Sequence, residues 1–175
     1  MSDWVLFAVL GGLSLAAARM YKRVPPDRCL VFFSKGPKPA VERIQLNGLA
    51  FVPPWRTVKT LYLGAVTFTI DGAEINAQLE QPLRFLVGVE NDWRRMTEAA
   101  ERLAGLDAPA LTLLAHNTIV TLLAGARREK PAPAERLRKE NGLTEDIRSV
   151  LAAKGFRLLS CNLDGLFGDA PVRFS

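Results

Sequence analysis

Residues 4–18 read WVLFAVLGGLSLAAA, a run without a single charge, and extending it to Tyr21 adds only Arg19. As a helix, residues 4–21 would cover roughly 26 Å at about 1.5 Å per residue, against a bilayer core about 30 Å thick. That is the short end of spanning length, and Arg19 can turn its long stem toward the headgroups to supply the difference. Trp4 and Tyr21 would then mark the two interfaces, where amphipathic rings are favoured. A cleaved signal peptide would call for a basic start, whereas Met1-Ser2-Asp3 is acidic, although Ala16-Ala17-Ala18 offers a small-residue cleavage site. A buried core helix would normally show a polar face, and this run shows none. A single membrane span is the reading taken forward; the Gly11-Gly12 pair within it is tolerated in lipid.

Beyond the run the period changes. Val24-Pro25-Pro26-Asp27 cannot continue a helix, because proline lacks the amide donor and pushes its predecessor to extended geometry. Strand patterns follow over residues 29–34, 40–44 and 49–52. Residues 35–39 punctuate the first two, and Asn47-Gly48 reads as the tight turn of a hairpin joining the second to the third. Residues 57–71, TVKTLYLGAVTFTID, are predicted as one long strand. Leu61 and Leu63 face one way, and after Gly64 the apolar set becomes Val66, Phe68 and Ile70, a change of register that predicts a β-bulge at the glycine. Thr67 and Thr69 take the opposite face, a candidate docking surface. Leu83, Phe85, Val87 and Val89 alternate cleanly as a further strand.

Helical spacing then takes over. Asn91-Asp92 can cap a helix with Trp93, Met96, Ala100, Leu103 and Leu106 inside. Asp107-Ala108-Pro109 restarts a second, with Leu111, Leu114, Thr118, Ile119 and Leu122 as its stripe. A basic, proline-bearing piece, GARREKPAPAERLRKENG, comes next. A third helix, opened by Glu145-Asp146 at its positive dipole end, carries Leu143, Ile147, Val150 and Leu151 and stops at Lys154-Gly155. Residues 156–163 return as a strand. The predicted class is α+β: a single N-terminal transmembrane helix, then short antiparallel strands, two or three helices and a closing strand. The domain limits that follow are 1–23 for span and basic flank, 24–169 for the α+β domain and 170–175 for a short tail.

Charge adds an orientation. The chain has a formal net charge of +5 and a pI near 9.6. Asp3 is the only charged side chain before the span, while Arg19, Lys22, Arg23 and Arg28 crowd the other side. Lys and Arg prefer the cytoplasmic flank, so the N-terminus is expected outside, the domain in the cytoplasm and the protein in a prokaryotic inner membrane. The same cluster either attracts anionic headgroups or only sets topology. Arg127, Arg128, Arg136, Arg138 and Lys139 form a second basic stretch, read either as a contact for lipid or an acidic partner or as a solvated loop. No aromatic residues interleave with a dense basic stripe, so nucleic acid is not an expected partner.

Catalytic chemistry is hard to find. His116 is the only histidine and reads as a lone surface side chain off the apolar stripe. Cys29 and Cys161 lack CxxC spacing and fall in strand-like segments, where small buried thiols are expected; lipidation of Cys29 near the membrane is the alternative. Glu98 and Glu101 share a helix face with Arg94, Arg95 and Arg102, a solvated pattern. No HExxH, GxSxG or P-loop occurs. No catalytic, cofactor-binding or metal residue is therefore assigned, and no enzyme is expected.

Three stretches carry a family resemblance. YKRVPPDRCLVFFSKG looks like the exit from a membrane anchor into a first strand. GLAFVPPWRTVKTLYLGAVTFTID gives a glycine, an apolar-proline step and a long strand. LLAGARRE, followed by LTEDIRSVLAAKGFRLLSCNLDGLFGD, gives a closing helix, glycine and strand. In order and spacing, over roughly residues 20–169, the chain resembles the SPFH or band 7 proteins (stomatin, prohibitin, flotillin), the flotillin branch most. The resemblance implies a membrane-anchored, non-enzymatic scaffold that organises lipids or membrane proteins, with self-association as a further implied property. Flotillin-like proteins run on into a long Ala/Glu/Lys-rich coiled coil. Here GDAPVRFS follows the domain, and no heptad run of useful length occurs. That departure weakens the expectation of a large assembly and brings forward a second role, an accessory structural subunit of a larger membrane enzyme complex.

Overall fold

The computed structural model of the chain describes residues 3–75, 77, 79, 81–90, 92–125, 133–163 and 166. The elements run α1 (Asp3–Arg19), β1 (Tyr21–Val24), β2 (Arg28–Phe33), β3 (Val41–Gln45), β4 (Gly48–Phe51), β5 (Thr57–Tyr62), β6 (Val66–Ile70), a 3-10 helix (Gly72–Ile75), β7 (Leu83–Val89), α2 (Trp93–Leu103), α3 (Ala108–Gly125), α4 (Pro133–Ala153) and β8 (Phe156–Asn162). The fold is α+β, with four α-helices among the described residues and each of their strands pairing antiparallel.

The strands form three sheets, ordered β1-β4, β3-β2-β5 and β6-β7-β8. The two three-stranded sheets share one core. Cys29, Val31, Phe33, Ile44 and Leu61 come from the first, and Val66, Phe68, Ile70, Phe85, Val87, Phe156 and Leu158 from the second. Helices α2, α3 and α4 close this core with Met96, Leu103, Leu111, Ile119, Ile147 and Leu151. Strand β2 is buried on its other face too. Leu30 and Phe32 point away from the main core into a smaller one made with Val24 and Ala50 of the β1-β4 ribbon. The unbroken apolar run Cys29-Leu30-Val31-Phe32-Phe33 has this physical meaning, because a strand covered on both faces does not alternate.

Two predicted connections differ from the structure. Residues 57–71 are two strands in two sheets, not one strand with a bulge: β5 pairs with β2, and β6 with β7. Gly64 lies in the corner between them, where a Cβ would run into the Tyr62 ring, so the glycine permits a turn that no other residue fits without displacing that ring. The predicted facing nevertheless holds, with Val66, Phe68 and Ile70 buried and Thr67 and Thr69 exposed. Similarly, Asn47-Gly48 does not close a hairpin. Strand β3 pairs with β2, while β4 crosses to β1 in the register Tyr21↔Phe51, Lys22↔Ala50, Arg23↔Leu49 and Val24↔Gly48. Gly48, at φ +86°, takes the left-handed conformation at that crossing.

The helices keep their predicted faces with three corrections. Trp93 opens α2 but is 60% exposed rather than inside, and Ala99 takes the buried position. Asp92 occupies the N-cap position of α2 without a side-chain capping bond, and Asn91 lies outside the described residues. Helix α4 begins at Pro133, so Glu145 and Asp146 sit within it instead of opening it, and Glu145 pairs with Arg148 one turn on. Gly155 ends α4 at φ +91°, as predicted, with room for no side chain: a Cβ there would lie 2.8 Å from the Ala99 Cα. Its carbonyl accepts from the Glu90 amide at 3.2 Å, and Arg102 donates to the Ala153 carbonyl, which fixes the end of α4 to α2 and β7.

Phe68 stacks on Phe85 with ring centroids 5.6 Å apart. Phe68→Ala should therefore lower unfolding free energy by about 3 to 5 kcal/mol, measured by denaturant titration. Thr67→Ala and Thr69→Ala, on the exposed face, should each cost under about 1 kcal/mol. Equal costs on the two faces would refute the assigned facing.

Candidate functional site

The surface that stands out lies where α1 meets the domain. Trp4, Phe7, Val9, Leu10, Leu13 and Leu15 of α1 are all more than half exposed, so the apolar helix packs on nothing within its own chain over these positions. Its 17 residues amount to about 26 Å at 1.5 Å per residue. Helix α3, with 18 residues, is long and apolar enough to cross a bilayer by length and composition. Its Leu111, Ala115, Ile119 and Leu123 are buried against the domain, while Leu113 is 61% exposed; the expected N-terminal span, α1, is shorter than that length.

The join between α1 and the ribbon is short. Met20 alone separates them; its amide donates to the Ala17 carbonyl at 3.0 Å, and its own carbonyl accepts from the Val52 amide at 2.6 Å. Tyr21 does not extend the helix, as the sequence had implied, but opens β1, because pairing with β4 satisfies its backbone there. The ribbon alternates. Val24 and Ala50 point down onto β2, so Tyr21, Arg23, Leu49 and Phe51 point out. Tyr21 and Phe51 lie ring against ring, with centroids 5.4 Å apart. Leu49 is 62% exposed beside them in the ladder, and the turn after β4 carries Trp55 at 58%.

Of the predicted flank residues, Tyr21 and Arg23 share the outward face of the ribbon, and Lys22 lies on the same strand opposite Ala50. Arg19 ends α1, while Tyr21, Lys22 and Arg23 are exposed on β1. Trp4 lies at the opposite end of the helix. What sequence reasoning missed is the contribution of Leu49, Phe51 and Trp55. Leu49 and Phe51 were read as hairpin residues, and the exposed apolar face appears only once β4 is paired with β1. The second basic stretch is split. Arg127 and Arg128 lie outside the described residues, and Arg136, Arg138 and Lys139 fall on α4 rather than in a loop.

Groups with catalytic potential are tied into structure. His116 is not a free surface histidine. Its Nε2 lies 2.9 Å from Glu74 Oε2 on the 3-10 helix, its ring meets Phe68 edge-on at 5.6 Å, and Nδ1 approaches Asn117 Oδ1 at 3.4 Å. The contact fastens the 3-10 helix to α3. Cys29 is fully buried, and burial pushes its thiol up to about 11, against a smaller lowering by its backbone bond to Leu61. A thiol so raised is protonated at neutral pH and a poor nucleophile. Among the described residues, no group of three or more His, Cys, Asp or Glu gathers as metal ligands. A cleft of about 470 Å³ at the far end of the ribbon is lined by Arg23, Val24, Pro25, Pro26, Asn47 and Gly48, which bring to it one guanidinium and one amide but no carboxylate or imidazole. No protein-family model matches the chain, and no curated protein matches it either.

Two outcomes are expected from these contacts. In a double-mutant cycle, His116→Ala and Glu74→Ala should show a coupling of about 0.2 to 1 kcal/mol, as partly exposed polar pairs do; additivity would mean that the pair does not form. Cys29 is protonated in both states below pH 9.0, its ordinary value. Between there and about 11 only the unfolded chain ionises, so stability should fall as pH rises through that window. Cys29→Ala should flatten the fall, and an unchanged pH profile would refute the assignment.

Proposed function

We propose that the chain is a membrane-anchored, non-enzymatic scaffold of the SPFH, flotillin-like type, organising membrane proteins or lipids from a domain on the membrane face. The observation that carries the reading is α1. Among the described residues Trp4, Phe7, Val9, Leu10, Leu13 and Leu15 are all more than half exposed, the helix is followed after one residue by a folded α+β domain, and Arg19, Lys22 and Arg23 stand at that junction while Asp3 is the one charged residue before the apolar run. In water that bare surface is unfavourable at about 25 cal/mol per Å², and a bilayer removes the cost. Support for the family comes from the sequence stretches over residues 20–169 and from their order of strands, helices and closing strand. Charge asymmetry supports an outside N-terminus and a cytoplasmic domain.

A second reading, an accessory structural subunit of a larger membrane complex, is favoured by apolar side chains exposed away from the junction: Trp93 on α2, Leu113 on α3 and Leu159 on β8. Mild-detergent solubilisation followed by native mass measurement separates the two. A homo-oligomer supports the scaffold, whereas a defined set of other chains supports the subunit.

The anchor itself is tested by reporter fusions after Ser175. A cytoplasm-dependent reporter should be active there and an export-dependent one silent, and the reverse pattern would overturn the orientation. Exchanging Arg19, Lys22 and Arg23 together for Glu should mix the two orientations, because the positive flank that holds the C-terminal side inside would be gone.

A further inference from the structure

We propose that Asn47 is a self-modification site: its side-chain amide is lost to attack by the Gly48 nitrogen, and the isoaspartate that results lengthens the main chain at the β3-to-β4 crossing and loosens the β1-β4 ribbon. None of the residues involved belongs to α1, and the membrane reading is not needed.

The chemistry is a cyclisation followed by a hydrolysis. The Gly48 nitrogen gives up its proton and bonds to Asn47 Cγ. The Cγ–Nδ2 bond breaks, and Nδ2 leaves as ammonia with that proton. The cyclic imide then takes up a water molecule from solvent. Opening at the Asn47 backbone carbonyl carbon leaves the chain running through Cγ, an isoaspartate with its α-carboxylate free. Opening at Cγ gives aspartate. Ammonia leaves, water enters, and no oxidant or reductant takes part.

The chain has two Asn-Gly pairs, at 47–48 and 141–142, and the fold separates them. Asn47 is exposed and lies outside every helix and strand, and among the described residues no hydrogen bond holds its side-chain amide. Gly48 sits at φ +86° with open space where a Cβ would be, so no side chain crowds the approach to its nitrogen. Its rung with Val24 is the end rung of the ribbon, and the ends of elements fray, which frees that nitrogen. Both residues line the cleft of about 470 Å³. The cleft brings water to the imide and the Arg23 guanidinium to the new carboxylate, with no acidic side chain among its lining residues. Asn141 and Gly142 instead lie inside α4. There the helical backbone is fixed and the glycine amide is committed to its i→i−4 bond.

The consequence follows from what the crossing holds. Strand β3 pairs with β2 and β4 with β1, and Gln45 Nε2 donates to the Leu49 carbonyl at 3.0 Å, which ties the two ends of the crossing together. An isoaspartate adds a carbon to the main chain between them. A ladder keeps its register residue by residue, so the added length is taken up at the Gln45–Leu49 bond or at the Val24–Gly48 rung. The ribbon is a short two-stranded one, marginal by itself, and Val24 and Ala50 are its contribution to the small core with Leu30 and Phe32. Losing the end rung opens the ribbon from that end and uncovers Leu30 and Phe32. Deamidation is irreversible and proceeds with time, so the crossing records the age of the molecule.

The test ages the full chain in mildly alkaline buffer, with and without denaturant, and digests it briefly with trypsin at mildly acidic pH. Cleavage after Arg43 and Arg56 isolates Asn47, and cleavage after Lys139 and Arg148 isolates Asn141. Mass spectrometry reads the replacement of NH2 by OH, and electron-transfer fragmentation separates isoaspartate from aspartate. In the folded chain isoaspartate should accumulate several-fold faster at Asn47 than at Asn141, and in denaturant the two rates should converge. Hydrogen exchange at 48–51 should speed up in the aged chain. Asn47→Gln, whose longer side chain cyclises far more slowly, should lose both the conversion and the gain in exchange. Freshly prepared Asn47→Asp carries the new charge on a chain of normal length and should exchange like the unaged protein. Conversion at Asn47 no faster than at Asn141 in the folded chain overturns the site, a comparison that needs no substitution. Conversion with unchanged exchange overturns the loosening. Fast exchange in Asn47→Asp would assign it to charge and overturn the role of chain length.

Discussion

Strand β2 is the constraint on which the rest of the structure depends. Its five residues Cys29 to Phe33 are all buried, which requires cover on both faces. The main core covers Cys29, Val31 and Phe33. Leu30 and Phe32 are covered by the β1-β4 ribbon, through Val24 and Ala50, with Val52 and Val58 packed against them. Burial of an aromatic and a leucine side chain is worth about 1.5 to 3 kcal/mol each, enough to hold a short two-stranded ribbon that would be marginal on its own.

That packing has a consequence at the surface. Since residues alternate along a strand, committing Val24 and Ala50 to β2 turns Tyr21, Arg23, Leu49 and Phe51 outward. The chain enters β1 from α1 through Met20 alone, so the outward face and the apolar helix are neighbours by construction. An internal packing requirement thereby fixes which side chains meet the base of the proposed anchor. Polar contacts add fine control elsewhere: the His116–Glu74 pair holds the 3-10 helix to α3, and Arg102 holds the end of α4.

The α+β class, the strand at 83–89, the closing helix, glycine and strand, and the buried set Val66, Phe68 and Ile70 were all legible in the sequence. Each is a local pattern: a period of two, a stripe at helical spacing, or a glycine where the left-handed conformation ends a helix. The basic cluster Arg19, Lys22 and Arg23 could be counted around the apolar run without a fold, whereas the place of Tyr21 at the start of β1 could not. His116 was misread for the opposite reason. Its partners, Glu74 and Phe68, are distant in sequence, and no spacing rule connects them.

The sequence by itself determined which segments are apolar, which faces of strands and helices are buried, and where the basic charge gathers. Only the tertiary structure decided which strand lies beside which. Asn47-Gly48 has the composition of a hairpin turn, and Gly64 that of a bulge, yet both proved to be crossings between sheets. A glycine's freedom at φ is a local property, whereas the choice between turning back and crossing over depends on what the next strand can cover. Strand β4 crosses because Ala50 fits against the face of β2 that the main core does not cover, and that contact, formed between residues far apart in the chain, turns Leu49 and Phe51 to the outward face of the ribbon.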